Sequence, residues 1–342
     1  MQEFVDALPL PAIVVGRDER LLAANAQAIQ LFGRGVLGRH YITSFRQPVL
    51  LDAIEQVMSD GKSRQARYLS TEARRDKTWA VHLAMMGADR PMLITFEDQT
   101  ATEEAGTMRR DFVANVSHEL RTPLTALIGF IETLRGAAKN DPAAQARFLE
   151  IMDREAVRMN RLVEDLMSLN RVEATERIRP LDLVDLTSIA RSVIHALEPL
   201  AAERGMTIVH ENLEDAARLP GDADQLAQVI TNLVENALKY SGFGKKVTLR
   251  METVDNHPMT RGPAASLSVI DTGDGFNPEL IPRLTERFYR IDNHRSRELG
   301  GTGLGLAIVK HIINRHRGRL RIESAPGQGS VFTVILPTKV SI

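Results

Sequence analysis

The segment Ser117-His118-Glu119-Leu120-Arg121-Thr122-Pro123 carries an imidazole, a carboxylate and a hydroxyl in close succession. A solvent-facing imidazole is a good nucleophile because its neutral form is populated near pH 7. Glu119 can take the proton from one ring nitrogen and leave the other free to attack. Thr122 follows His118 by one helical turn, so both fall on one face, where the hydroxyl could orient water toward a phosphate on His118. Pro123 removes a backbone hydrogen bond and should kink a helix near this point. Alone the segment is weak, since His-Glu pairs on helix surfaces are common and mostly inert.

Later segments suit nucleotide chemistry. Within Asn232-Leu-Val-Glu-Asn236-Ala-Leu-Lys239-Tyr240, the residues Asn232, Asn236 and Lys239 project from one helical face with Tyr240 alongside. Carboxamide oxygens can ligate Mg²⁺, and a lysine can neutralise a phosphate. Asp271-Thr-Gly273-Asp-Gly275 follows the strand-like Leu267-Ser-Val-Ile270. A carboxylate buried at a strand end needs a partner, and the exocyclic amine of adenine is a suitable donor. Gly273 and Gly275 permit tight turns against a ligand. Gly300-Gly301-Thr302-Gly303-Leu304-Gly305 runs into an apolar helical pattern whose first N–H groups can hold phosphates. It comes too late in the chain for a dinucleotide fold, which places such a loop after a first strand. Between these lie Glu286-Arg-Phe-Tyr-Arg290 and the charged stretch Asp292 to Glu298, which suits a lid over a nucleotide, with Arg290 a candidate phosphate contact. Each segment also has a bland reading: a polar helix face, an acidic turn, a glycine-rich loop, a solvated charged loop.

Periodicity shows what must position these groups. Val113, Val116, Leu120, Leu124, Leu127, Ile131 and Leu134 recur every three or four residues, as an a/d seam does. The stretch Gly136 to Pro142 interrupts it, and Phe148, Met152, Ala156, Met159, Val163 and Leu166 form a second seam. Two such helices make an antiparallel hairpin whose seam needs a further layer, and a homodimeric four-helix bundle is the simple solution. Packing against another domain of the same chain is the less favoured reading. From about 180 to 338, helical patterns at 185–203 and 223–240 alternate with strand-like runs at 206–210, 247–253, 265–271, 318–323 and 330–336, an α/β sandwich. Residues 1 to 97 read as a small α+β domain, with strands at 12–15, 21–24, 64–70, 78–86 and 92–97 and a helix capped by Asn25 and ended by Gly33.

The chain has 342 residues, enough for two or three domains at roughly 100–200 residues each. Its 43 Lys+Arg against 44 Asp+Glu leave a net charge of −1, which removes the electrostatic case for direct nucleic-acid binding. The absence of cysteine excludes disulfides, cysteine-ligated metals and cysteine nucleophiles. No uncharged apolar run approaches the ~20 residues of a spanning helix, and acidic Glu3 and Asp6 do not suit a signal peptide.

In this order the motifs resemble those of the sensor histidine kinases of two-component systems. Ser117 to Pro123 resembles their H box, Asn232 to Tyr240 the N box, Asp271 to Gly275 the G1 box, Arg287 to Arg290 the F box and Gly301 to Leu306 the G2 box. The likeness covers about 105 to 338, and five ordered motifs are specific together although none is alone. The closest likeness is to the phosphate-regulon PhoR type, carried by Arg287-Phe-Tyr-Arg-Ile-Asp292, Arg295-Ser-Arg297 and Gly300 to His311. Residues 1–97 resemble a PAS domain, and Asp98-Gln-Thr100 resembles the PAS exit into a signalling helix.

The resemblance implies a multidomain α+β fold. Its parts are a PAS-like α/β sensor domain at 1–97, a dimerisation and histidine-phosphotransfer domain at 98–175 and an ATP-binding α/β sandwich of the gyrase/Hsp90/histidine-kinase type at 180–338. It implies phosphorylation of His118 by ATP, then transfer to an aspartate of a response regulator, PhoB-like and engaged in phosphate-starvation signalling. Dephosphorylation of that regulator is an implied second activity. Asn236, assisted by Asn232, would hold Mg²⁺, and Lys239, Tyr240 and Arg290 would contact phosphates. Asp271 would read adenine, with Gly273 and Gly275 beside it, and Gly301, Thr302, Gly303, Leu304 and Gly305 would complete the nucleotide loop. Glu119 would accept the His118 proton, and Thr122 would support hydrolysis of the phosphorylated regulator.

PhoR-type kinases commonly carry N-terminal membrane helices, which this sequence lacks. It is either a cytoplasmic protein held at the membrane only by a membrane-protein partner, or truncated. Two rivals remain: a phosphatase-dominant or conformational ATP-binding switch, and a gyrase/Hsp90-like ATPase. Those ATPases carry a glutamate where Asn232 stands, and asparagine cannot serve as that base, so efficient ATP hydrolysis is not expected. Lack of cysteine excludes flavin–cysteinyl photochemistry in the PAS-like region. His40 and His82 could in principle ligate haem, but single histidines are more often structural, so dimerisation or partner contact is the expected role there.

Overall fold

Asn25 shows how local sequence builds the N-terminal part. Its Oδ1 accepts from Ala28 N at 3.0 Å, capping a helix, and from Ala12 N at 3.1 Å, while Nδ2 donates to Leu10 O at 2.7 Å. One side chain thus starts a helix and fixes the start of the first strand, an N-cap being worth about 1 kcal/mol. The computed structural model describes residues 1–72, 75–87, 91–291 and 301–339. Contacts divide it into two units, Met1–Ala114 and Asn115–Ile342.

In the first unit, β1 (Ala12–Val15), β2 (Leu21–Ala24), β3 (Arg64–Glu72), β4 (Arg75–Met85) and β5 (Met92–Asp98) form an antiparallel sheet in the order β2-β1-β5-β4-β3. A short α1 (Gln2–Asp6) precedes it, and α2 (Ala26–Phe32), α3 (Tyr41–Ser44) and α4 (Pro48–Asp60) lie between β2 and β3. Trp79, Val81, Leu83, Ile94 and Phe96 alternate along β4 and β5 and pack on Phe45, Leu50, Ile54 and Val57. The strands and α2 agree with expectation. α3 and α4 were missed, although Pro48 at the start of α4 and left-handed Gly61 just past its end are the usual signals. His40 pairs with Glu19 at 2.6 Å, and His82 lies beside Gln65 at 3.3 Å, both in exposed settings outside this core.

α5 (Thr100–Arg135) starts where Asp98 Oδ1 accepts from Thr100 N at 3.0 Å. The helix is continuous through Pro123, which is buried, so packing offsets the lost backbone bond. After the turn at 136–140, Asp141 caps α6 (Pro142–Thr175) by accepting from Ala143 N and Ala144 N. Phe130 meets Phe148 with ring centroids 5.4 Å apart, and Glu119 meets Arg158 at 3.4 Å. Moving back along one helix moves forward along the other, so the hairpin is antiparallel.

The rest of the second unit is a five-stranded sheet, β7 (Thr207–Glu211), β9 (Lys246–His257), β10 (Gly262–Asp271), β11 (Arg319–Ser324) and β12 (Ser330–Pro337), in the order β11-β12-β10-β9-β7. Among the described residues, only β7 and β9 of this sheet pair in parallel. Against it pack α7 (Leu186–Glu203), α8 (Ala223–Tyr240) and α9 (Gly305–Arg315), and a small ladder joins β6 (Leu183–Asp185) to β8 (Arg218–Pro220). α9 also packs on α6, whose Leu162, Leu169 and Val172 are buried. The less favoured reading of the hairpin is therefore partly realised: α6 rests on the nucleotide-type domain of its own chain. Leu124, Ile131 and Val163 of the seams stay exposed.

Candidate functional site

Asp222 caps α8 by accepting from Gln225 N at 3.2 Å. Leu226, Val229, Ile230, Leu233, Val234, Ala237 and Leu238 bury one side of the helix. The 3.6-residue period then turns Asn232, Asn236, Lys239 and Tyr240 toward a cleft of about 260 Å³. Asp271, Gly275, Arg290, Gly301, Thr302, Gly303 and Gly305 line the same cleft, so segments from across the sequence converge there. Asn232 Nδ2 is buried with no protein partner. Lys239 Nζ lies 2.9 Å from Glu235 Oε2, whose other oxygen meets Arg161 of α6 at 3.1 Å.

Asp271 ends β10, next to Ser330 of β12. Burial pushes its carboxyl above the usual range, opposed by hydrogen bonds from Gly273 N (2.8 Å to Oδ1) and from Ser330. A carboxylate so placed, in a cleft with Phe276, Leu284 and Phe332, suits a flat base with an exocyclic amine.

Gly273 and Leu304 do not line the cleft. A Cβ on Gly273 would sit 2.7 Å from Ser241 Cα, and Leu304 is wholly buried before α9. Gly275 lines the cleft, but its φ of +60° and a would-be Cβ 2.1 Å from Ala325 O show that protein backbone, rather than ligand approach, demands glycine there. At Gly303, φ +74°, a Cβ would meet Phe288 Cα at 2.8 Å, and Phe288 N donates to Gly303 O at 2.8 Å. The Arg287-Phe-Tyr-Arg290 segment and the glycine loop are thus built against each other. The expected lid at Asp292 to Glu298, with Arg295 and Gly300, lies outside the described residues.

His118 is exposed on α5. Thr122 Oγ1 donates to the His118 carbonyl at 3.2 Å, so its hydroxyl is engaged with the backbone one turn back. Glu119 is turned inward, its Oε2 3.4 Å from both Arg158 and Arg290. Sequence reasoning missed the α6 contribution. Arg161 and Asp165 line the cleft, and Thr302 donates to Asp165 at 2.6 Å. Burial pushes the Asp165 carboxyl up, against the Thr302 hydrogen bond and the charges of Arg161 and Lys239. Arg287 meets Glu173 at 2.5 Å, and His311 meets Glu176 at 2.7 Å, further links to α6. The only local signal was the polar stripe Asp165, Glu173, Glu176 beside the buried Leu162, Leu169 and Val172, which reads equally well as a solvated helix face.

Residues 108–175 match the His Kinase A (phospho-acceptor) domain, and residues 221–340 match the histidine kinase-, DNA gyrase B- and HSP90-like ATPases. The sensor-like histidine kinase SenX3 of Mycobacterium bovis is 37% identical over 353 aligned residues, spanning 99% of this chain and 80% of that protein. The chain belongs to the sensor histidine kinases. The phosphate regulon sensor protein PhoR of Pseudomonas aeruginosa is 41% identical over 252 residues, covering 74% of this chain; the chain spans only 55% of that relative's length. Histidine kinase ThkA, solved in complex with the response regulator protein TrrA, shares the fold at 22% identity with a TM-score of 0.54, covering 99% of this chain and 98% of that one.

Proposed function

We propose that this chain is a protein-histidine kinase that phosphorylates His118 from ATP and passes the phosphoryl group to an aspartate of a response regulator. One observation carries the reading: a single unit holds an exposed His118 on a helical hairpin and a cleft where Asn232, Asn236, Lys239, Asp271 and the Gly301–Gly303 loop converge. One ring nitrogen of His118 forms the bond to the γ-phosphorus, the bond from that phosphorus to the bridging oxygen breaks, and ADP leaves. The proton from the other ring nitrogen goes to Glu119. Phosphoryl transfer of this kind depends on positioning and charge neutralisation.

Lys239, Tyr240 and Arg290 would contact phosphates, and Asp271 would accept from the adenine amine. The buried, unpartnered Asn232 Nδ2 is a donor suited to a phosphate oxygen, and the carboxamide oxygens of Asn232 and Asn236 suit Mg²⁺, which takes few protein oxygens when phosphates supply the rest. Asn236, with Asn232, would hold Mg²⁺, which when bound neutralises phosphate charge. Thr122, free to leave the His118 carbonyl, would support dephosphorylation of the regulator.

The matches at 108–175 and 221–340 and the change of pattern at Asp98 support a division into 1–97, 98–175 and 180–338. The strand order β2-β1-β5-β4-β3 with helices between β2 and β3 supports a PAS-like sensor domain. Exposed Leu124, Ile128 and Ile131 on α5 support a second copy as bundle partner. The likeness to PhoR supports a PhoB-like regulator and phosphate signalling. Among the described residues no helix is long and apolar enough to cross a membrane. Use of ATP implies the cytoplasmic side, with a membrane-protein partner supplying the input.

The test is incubation of the purified chain and of His118→Gln with γ-labelled ATP and Mg²⁺. Acid-labile, alkali-stable label is expected in the wild type and absent from the variant. A wild type that binds ATP yet takes no label would instead favour the phosphatase-dominant or conformational switch.

A further inference from the structure

Glu119 is held by two cations of different origin. Arg158 reaches it from α6 and Arg290 from the nucleotide domain, each with Nη2 3.4 Å from the same Oε2. All three side chains are largely enclosed, at 17% exposure for Glu119, 20% for Arg158 and 6% for Arg290. Pro123, Met159, Leu162 and Thr302 pack around the cluster. The charged groups against Glu119 are Arg158 on α6, with Glu155 3.7 Å behind it, and Arg290; Asp165 enters the same patch through Thr302, and His118 precedes Glu119 on α5 and is exposed.

The two arginines differ in what else they can touch. Arg290 also lines the nucleotide cleft, whereas Arg158 does not. Arg158 rides the same hairpin as Glu119, so their pairing does not depend on where the nucleotide domain sits. Both guanidinium groups engage the same Oε2, so that oxygen's lone pairs are occupied while both stay in place. Freed of both, the carboxylate has nothing to fix its orientation.

We infer that Arg158 is a positioning residue that holds the Glu119 side chain in place during proton transfer from His118, while Arg290 exchanges Glu119 for the nucleotide phosphates. The inference rests on the kinase reading above. ATP then does two things at once: it supplies the phosphoryl group and draws away one of the two cations that restrain the base. The ring proton of His118 passes to a Glu119 oxygen as the new nitrogen–phosphorus bond forms and the bond to ADP breaks.

The test uses the whole chain as wild type, Arg158→Gln and Arg158→Lys, with initial rates of His118 labelling measured against ATP concentration, ATP affinity measured separately and folding checked by thermal melt. Gln keeps much of the stem packing, and Lys restores the charge. Arg158→Gln is expected to lower kcat on the order of ten-fold, with ATP affinity changed less than about two-fold. Arg158→Lys should return kcat toward the wild-type value, and it provides the same readout if the Gln variant does not fold. Wild-type kcat in Arg158→Gln, a loss of ATP affinity as large as the loss of kcat, or a slower enzyme that lysine does not rescue overturns the assignment alone. A wild type that never labels overturns the kinase reading and the assignment with it.

Discussion

Thr302 of the glycine loop donates its hydroxyl to Asp165 of α6 at 2.6 Å, which places a hairpin carboxylate in the wall of the nucleotide cleft. The loop offered to phosphates is thus already bonded to an anion of its own chain.

A phosphate entering beside Thr302 must compete with that carboxylate and bear its repulsion. Asp165→Ala is expected to bind ATP more tightly, by about 1 kcal/mol or roughly five-fold, with adenosine binding unchanged. Calorimetric titration of both ligands checks this; equal or weaker ATP binding in the variant would sink it.

By the resemblance of its segment to the N box, Asn232 stands where gyrase- and Hsp90-type ATPases carry a water-activating glutamate. Asn232→Glu should raise steady-state phosphate release from ATP, a general base being worth about 10²-fold or more when well placed. Rapid futile turnover by the wild type would contradict the idea.

His316 is wholly enclosed and joins two helices: its Nε2 accepts from Asp222 N at 3.0 Å, and Nδ1 donates to Ile312 O at 2.8 Å. The bond from Asp222 N needs Nε2 unprotonated, and burial holds the ring's pKa below the ordinary value of 6.5, against the hydrogen bond to Ile312 O. The unfolded chain therefore binds more protons than the native one near and below that value. Stability is complete above about pH 6.5 and declines as pH falls below it. Because Asp222 caps α8, ATP affinity should weaken alongside. Urea melts between pH 5 and 7.5 should show the decline, and His316→Gln should flatten it while costing about 1–3 kcal/mol at neutral pH. An equally steep decline in the variant would assign the pH dependence to other groups.

Gly275 and Gly242 both have positive φ, but only Gly275 faces backbone at 2.1 Å; nothing lies within 4 Å of a Cβ on Gly242. Gly242→Ala should cost about 1 kcal/mol, from backbone conformation alone. Gly275→Ala should cost at least 2–3 kcal/mol more, by overpacking, and reduce nucleotide binding. Comparable melting points for the two variants would refute this distinction.

Leu124 and Ile128 are 49% and 51% exposed on α5. If a second copy covers them, the Leu124→Glu/Ile128→Glu double variant should weaken self-association at least about ten-fold, roughly 1.4 kcal/mol. Sedimentation velocity over a concentration series measures it, and an undiminished dimer would place the interface elsewhere.

Much of this was legible in the chain. The Asn25 cap, the interruption at 136–142 and the face shared by Asn232, Asn236 and Lys239 all come from contacts within a few residues, where side-chain type and backbone geometry are tightly coupled. α3 and α4 escaped because they lie in a loop-like stretch with weak periodicity, although Pro48 and Gly61 marked the ends of α4.

The amino-acid sequence determined which residues could do chemistry, which helix or loop would carry each and the order in which they occur, because periods of 2 and 3.6 residues are local properties. Only the tertiary structure decided what those residues meet. It turned Glu119 toward Arg158 and Arg290, set Asp165 of a hairpin helix into the wall of the cleft and buried Leu304 in the core. It also gave Gly275 a packing reason in place of a ligand one. Contacts between residues tens of positions apart follow from how whole faces pack, and charge or polarity at a single position does not reveal the partner that packing brings to it.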